Sequence, residues 1–302
     1  MDKDVLEKYI QAGKIAAEVR EESKKFVKVG SSLLEIAEKI ESLIKEKGAA
    51  PAFPVNLSLN NIAAHYTPGK GDKTRIAEGD LIKVDIGVHV DGYVGDTAYT
   101  ITFNPEYEKL VLASEKALEE AIKLCTPGRK ISEIGEKINE VITGMGFLPI
   151  SNLTGHGLEK FNLHAEPQIP NVKITSNYKL KENQIIAIEP FATNGSGRVK
   201  DSEPTLIYSL VRPGPVRNQD ARIIMNFASP FNSLPFAERW IPIDSLVRLR
   251  LALRELKMRN IIYDYPVLKE AAGGVISQAE HTVIVKDEPF VTTELENKQP
   301  SS

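Results

Sequence analysis

The chain has 302 residues, of which 42% are hydrophobic, 26% charged and 7% aromatic, the values of an ordinary globular protein with enough apolar residues for a sizeable core. Its 38 Lys and Arg nearly balance 41 Asp and Glu, and a net charge of −3 argues against a general binder of nucleic acid or anionic membrane. A single cysteine, Cys125, excludes an intrachain disulfide framework and a cysteine-cluster zinc site, and it fits a reducing compartment.

The first residues, MDKDVLEKYIQAGK, carry charges at positions 2 to 4 and no apolar stretch, so they are not a secretory signal. No apolar run in the chain approaches the ~18 residues that a membrane span requires. The expectation is a soluble cytoplasmic protein with no membrane partner.

Residues 4–28 have helical apolar spacing and end at Gly30. A second helix starts at Ser32, with Glu35 three residues on as a capping box, and closes at Gly48. His65 follows in NNIAAHYTPG. GDLIKVDIG at 79–87 is a β-rich apolar run ending in Asp85, and DTAYTITF starts a second strand at Asp96, with Gly87, Gly92 and Gly95 suited to the tight connection between them. A third helix is expected from Pro105 to about Cys125, and a fourth from near Ser132 to Gly144 or Gly146. His156 is framed by Gly155 and Gly157, which allow close approach of the backbone to a ligand, and His164 lies eight residues on. NQIIAIEP is a further strand, with Glu189 in the most apolar window of the chain.

Residues 216–262 contain helical stretches, with Asp244 as the expected N-cap of the last; Pro213 and Pro215 lead into them and Pro230, Pro235 and Pro242 punctuate them. This region is expected to be an inserted helical subdomain. The sheet resumes near Gly274, EHTVIV forms a strand from Glu280, and ENKQPSS is a short tail.

The chain repeats itself faintly. GSSLLEIAEKIESLIKEKG lies over GRKISEIGEKINEVITGMG, and Leu81, Ile82, Val84 and Asp85 lie over Ile185, Ile186, Ile188 and Glu189. Equal parity puts Asp85 and Glu189 on the same face of their strands. Asp85 and Asp96 stand 11 apart, whereas Glu189 and Glu280 stand 91 apart, so the insertion falls inside the second repeat. His65 and His164 are separated by nearly one repeat and are expected to face each other. His89 is assigned to a surface turn, and His281 to the face opposite Glu280.

A carboxylate in an apolar strand is costly to bury unless it is paired, hydrogen-bonded or metal-bound. Asp85, Asp96, Glu189 and Glu280 crowded together would repel without cations. With His156 they form a mostly hard-oxygen set that suits two divalent ions, Co, Mn, Fe or Zn, about 3.5–4 Å apart and sharing bridging carboxylates. The reaction class so indicated is metal-assisted hydrolysis.

The ordered set DIGVHVDGYVGD, TGHGLEKFNLHAEP, IEPF and QAEHTVIV resembles the metal site of methionine aminopeptidases and their pita-bread relatives. The resemblance runs from the first helix to about residue 285 and has no departure at the ligand positions. The insertion, AFPVNLSLNNIAAHYTP and QAEHT are similar to the type II class, in its compact archaeal-like form without a charged N-terminal extension. The resemblance implies an α+β pita-bread fold with a pseudo-twofold repeat and a central antiparallel sheet. Its catalytic domain would be 1–195 plus 270–295, its inserted, mainly helical subdomain 196–269, and its tail 296–302. It implies that Asp85 chelates one metal, that Asp96 and Glu280 bridge two, and that His156 and Glu189 complete the other. Glu189 would shuttle protons, His164 would stabilise the oxyanion, and His65 would contact the substrate and orient the scissile amide. Phe53, Pro54, Tyr265 and Leu268 would form the slot for the methionine side chain. The implied activity is removal of N-terminal methionine from nascent polypeptides with a small second residue. The implied partners are emerging N-termini and transient ribosome contact, with no specific nucleic acid, for a monomeric enzyme. The competing readings are a proline-specific aminopeptidase or prolidase of the same fold, a non-enzymatic ribosome- or RNA-binding relative, and a plain structural protein.

Overall fold

The computed structural model describes residues 1–295; the expected tail, 296–302, lies outside the described residues. Helices α1 (Lys3–Ser23) and α2 (Leu33–Glu46) precede β1 (Ala50–Pro51), β2 (Asn56–Leu59), β3 (Ile62–Ala64) and the hairpin β4 (Leu81–Val90)–β5 (Tyr93–Thr102). The pattern then recurs: α3 (Glu108–Ile122) and α4 (Ile131–Gly144) precede β6 (Leu148–Pro149), β7 (Thr154–Glu159), β8 (Asn162–Pro170), β9 (Ile185–Ile188) and β10 (Phe191–Thr193). After these come β11 (Val199–Leu210), α5 (Gln219–Ala228), β12 (Phe236–Ala237), α6 (Leu246–Met258) and β13 (Ile262–Glu270). The chain closes with β14 (Ile276–Gln278), β15 (Glu280–Ile284) and β16 (Phe290–Val291).

The main sheet runs β1-β4-β5-β15-β9-β7-β8, antiparallel at every pairing, with β2 beside β4 and β16 beside β15. Its outer face is covered by four helices in two pairs. Ile36, Ile40 and Ile44 of α2 pack on Ile82, Val84 and Ile86 of β4, and Ile134, Ile138 and Ile142 of α4 pack on Ile186 and Ile188 around β9. Period-3.6 stripes on helices meeting the period-2 face of a sheet explain both layers. Among the described residues no helix is long and apolar enough to cross a membrane.

The expected ends shift slightly. The first helix stops at Ser23, and the third begins as a 3-10 turn at Pro105–Tyr107 before the α-helix that ends at Ile122. Ser32 is the N-cap of α2 and accepts from Glu35 N. The N-cap of α6 is Ser245 rather than Asp244, because its hydroxyl oxygen accepts from Arg248 N at 3.4 Å.

Residues 196–269 are not mainly helical. The long ribbon β11–β13 is their spine, with α5 and α6 laid on it through Ile224, Leu249, Leu253 and Leu256. Alternation along β13 reads weakly because the strand is half-buried, which hid it in the sequence. β13 also pairs with β3, Leu268 opposite Ala64, so the ribbon extends a sheet that reaches back to the first half.

Candidate active site

Five side chains stand in a row across five neighbouring strands. Asp85 lies on β4, Asp96 on β5, Glu280 on β15, Glu189 just past β9, and His156 on β7. Register explains their convergence. Ala98 lies opposite both Asp85 and Glu280, so those carboxylates flank one small residue on one face, and Asp96, two positions from Ala98, shares that face. On the other side Ala187 lies opposite His156 and Thr282, and Glu189 is two residues beyond Ala187. The repeated aspartate and glutamate thus meet around two alanines.

His156 Nε2 lies 3.9 Å from Asp96 Oδ2 and 3.6 Å from Glu189 Oε1. Asp96, His156 and Glu280 offer ligand atoms all within 4.8 Å of one another. His156 Nδ1 is 3.3 Å from Gly157 O; a carbonyl only accepts, so Nδ1 carries the proton and the Nε2 lone pair faces the carboxylates. Burial pushes the Asp85 carboxyl up to about 7, against a hydrogen bond from Gln278 that lowers it. Burial and mutual repulsion also hold Asp96, Glu189 and Glu280 well above the usual carboxylate range. Asp85 Oδ1 and Asp96 Oδ1 are buried without a hydrogen-bond partner. Buried orphan oxygens within a cluster of carboxylates are costly as protein atoms alone and are suited to divalent cations. The donor set therefore fits a metal centre.

The row forms the floor of a pocket of about 220 Å³. His65, His164, Phe53 and Tyr265 stand around it. His164 packs edge-on to His156 with ring centroids 4.8 Å apart, and His65 packs edge-on to Tyr265 at 5.6 Å. His65 Nδ1 is 3.2 Å from Pro266 O and therefore donates, which leaves Nε2 as an acceptor in the neutral ring. Burial and the neighbouring His164 push His65 down to about 4, and burial lowers His164 as well. His65 has φ 63°, a left-handed conformation uncommon for a non-glycine residue.

Pro54 and Leu268 do not line this pocket. Pro54 turns its carbonyl to Asn56 Nδ2, and Leu268 lines the adjoining groove with His65 and Tyr265. His89 Nδ1 accepts from Gly92 N and is half-buried against Phe161. His281 points away from Glu280, toward Arg20 and Thr293.

The chain matches the family described as "Metallopeptidase family M24" over residues 7–226. It belongs to that family. A methionine aminopeptidase of Pyrococcus abyssi is 52% identical over 293 residues, 96% of this chain and 99% of its own. Among solved structures, a thermophilic Arx1 has a TM-score of 0.85 at 19% identity, over 99% of this chain and 93% of its own. A methionine aminopeptidase of Thermotoga maritima has 0.72 at 21%, over 98% of both chains. At those identities the two structures show the fold alone, and that fold is the α+β pita-bread arrangement of the M24 family.

Three contributors were missed in the sequence. Gln278 Nε2 donates to Glu280 Oε2 at 3.3 Å, and its position two residues before Glu280, on the same face, was the available signal. Asn56, opposite Asp85 in the register, lines the pocket, and no spacing pointed to it. Lys83 interrupts an apolar strand two residues before Asp85, a visible break in the pattern.

Proposed function

We propose that this M24 enzyme removes the N-terminal methionine from polypeptides whose second residue is small, by hydrolysis at a centre of two divalent ions. The observation that carries the reading is the row of five ligand-type side chains with two orphaned carboxylate oxygens, set under a pocket ringed by neutral histidines. Asp85, Asp96, His156, Glu189 and Glu280 would hold the metal. Asp96 and Glu280 stand in the middle of the row, which suits them to serve both ions, with Asp85 to one side and Glu189 and His156 to the other. Bound there, divalent ions polarise the scissile carbonyl and lower the pKa of a water. Co, Mn, Fe and Zn all accept such ligands.

The side chains do the rest. Glu189 takes a proton from the attacking water and delivers it to the leaving amine. Neutral His164 donates an N–H to the carbonyl oxygen as negative charge develops there. The acceptor Nε2 of His65 orients the scissile amide N–H. Phe53 and Tyr265 form walls for the methionine side chain, and Phe53 occupies the space left by Gly87, where a Cβ would come within 2.2 Å of its ring. Pro54 and Leu268 back that slot rather than face it.

The same reading assigns 1–195 and 270–295 to the catalytic unit and 196–269 to an insertion that delivers Tyr265. Substrates that are emerging chains suit a cytoplasmic enzyme with transient ribosome contact, which we take to act as a monomer.

The test is competition among Met-Ala-Ser, Met-Lys-Ser and Xaa-Pro peptides, with chelation and add-back of metal. Met-Ala-Ser should win over Met-Lys-Ser by about 10²-fold in kcat/KM, because a long second side chain displaces the carbonyl by about 1 Å. Equal rates, or full activity after exhaustive chelation, would overturn the reading. Preference for Xaa-Pro bonds whatever the first residue would make the enzyme proline-specific.

A further inference from the structure

Lys83 heads the large side chains that are fully buried among the described residues. It lies on β4 with the parity of Asp85, yet it does not line the active-site pocket. No carboxylate pairs with it among the described residues; burial is the sole cause shifting its amine, which it pushes down to about 7. Nζ donates instead to two backbone carbonyls, Ile276 O at 2.8 Å and Asn60 O at 3.2 Å. Amine and ammonium both carry the two N–H groups these bonds need. A methionine would fill the volume without the desolvation cost, so the donor itself needs a reason.

The two carbonyls supply it. Asn60 forms the β2–β3 turn with φ 49°, and the chain reaches His65, also left-handed, five residues later. Ile276 begins β14, which leads through Gln278, the donor to Glu280, into β15. Asn60 O also accepts from Ile276 N at 3.0 Å, so the two segments touch where Lys83 binds both. β4, the His65 segment and the Glu280 segment are therefore joined by one amine.

We propose that Lys83 is a positioning residue for the hydrolysis, tying the Asn60 and Ile276 carbonyls so that His65 and Glu280 are held in fixed relation across the site. This rests on the roles given above to His65 and Glu280.

Lys83→Met in the full, metal-replete chain should still unfold cooperatively and keep its metal. Its kcat should fall about 10- to 100-fold, with KM nearly unchanged, as expected for a misplacement of the reacting groups. Lys83→Ala should regain part of its kcat, saturably, with methylammonium, which has N–H donors. Tetramethylammonium, which has none, should restore nothing. Parent kcat in Lys83→Met would overturn the proposal, as would a folded Lys83→Ala that methylammonium does not restore. Failure of both variants to fold would make Lys83 a residue of the fold and also overturn it. A double variant with His65→Ala separates the two readings. Less-than-additive loss supports coupling through His65, and additive loss overturns it. A fully active His65→Ala single variant would instead count against the site assignment.

Discussion

Asp85 and Asp96 belong to one hairpin, whereas Glu189 follows the end of β9 and Glu280 begins the adjacent β15, with β11–β13 in the chain between them. In the first half, Asp91 and Gly92 (φ 52° and 89°) make a two-residue turn, and register runs unbroken from Val90 opposite Tyr93 to Leu81 opposite Thr102. The Asp pair is therefore placed by local geometry. In the second half, β9 and β15 pair directly, but the intervening detour must close on itself. Two devices close it. Glu270, at the end of β13, accepts from the backbone and hydroxyl of Ser196 and from Ala272 N and Gly274 N, sealing the neck. Farther out, buried Glu41 of α2 accepts from Arg239 and Trp240 of the insertion and from Val55 N, which lies between Phe53 and Asn56. A similar pair of carboxylates can thus be presented by a turn or by a clasped excursion, and the excursion brings Tyr265 with it.

The sharpest break of the comparison is at the shared ligand. Asp96→Asn should impair metal at both positions and lower kcat/KM by at least about 10³-fold, which is about 4 kcal/mol. Asp85→Asn, at the end of the row, should affect mainly one position. Metal titration checks both; equal single-site losses would contradict the assignment of Asp96 to both ions.

Next in size is the clasp. Arg239 Nη1 donates to Thr67 Oγ1 and Pro68 O while Nη2 pairs with Glu41, and burial raises the Glu41 carboxyl despite the guanidinium beside it. Removing one partner strands a buried charge, so Arg239→Met should cost about 3–5 kcal/mol in denaturant unfolding. Replacing both, with Glu41→Leu added, should recover much of that stability but leave KM for methionyl peptides raised, since Val55 loses its acceptor. An unchanged KM in the double variant would restrict the clasp to stability.

Third come the histidines that the repeat relates, one from each half. His65→Ala and His164→Ala should each keep metal and lose about 10²–10³ in kcat, roughly 2.7–4 kcal/mol. Metal loss in either variant would make that residue a ligand instead.

How much of this was legible in the sequence follows from the same contrast. The paired helices and the strands bearing Asp85, Asp96, Glu189 and Glu280 showed through because apolar periodicity and a carboxylate in an apolar run are local signals. The histidines 65 and 164 showed through the repeat. What stayed hidden depends on distant partners: β13 pairing with β3, the Glu41–Arg239 clasp, Asn56 opposite Asp85, and the place of Pro54 and Leu268 outside the pocket lining. None of these has a period, and each is decided by which segment the fold lays against it.

The neck gives the smallest and most specific effect. Glu270 is buried, and desolvation alone would raise its carboxyl, but the hydrogen bonds from Ser196, Gly274 and Ala272 outweigh it and hold it down to about 2, against an ordinary 4.5. A carboxyl lowered in the folded state binds fewer protons there than in the unfolded chain. Its stabilisation is therefore present above the ordinary value and is lost as pH falls through the window between 4.5 and about 2. Glu270→Gln should cost about 1–3 kcal/mol near neutral pH, the range for weakening a buried hydrogen-bonded group. Denaturant titrations of parent and variant down this pH window should show the gap narrowing and then closing. A Cβ on Gly195 would meet Glu270 Cδ at 2.4 Å and one on Gly274 would meet Gly195 Cα at 2.3 Å, so both glycines are packed closely at the neck. A gap that stays constant across the window would mean that the neck is held by packing of those glycines rather than by the carboxylate.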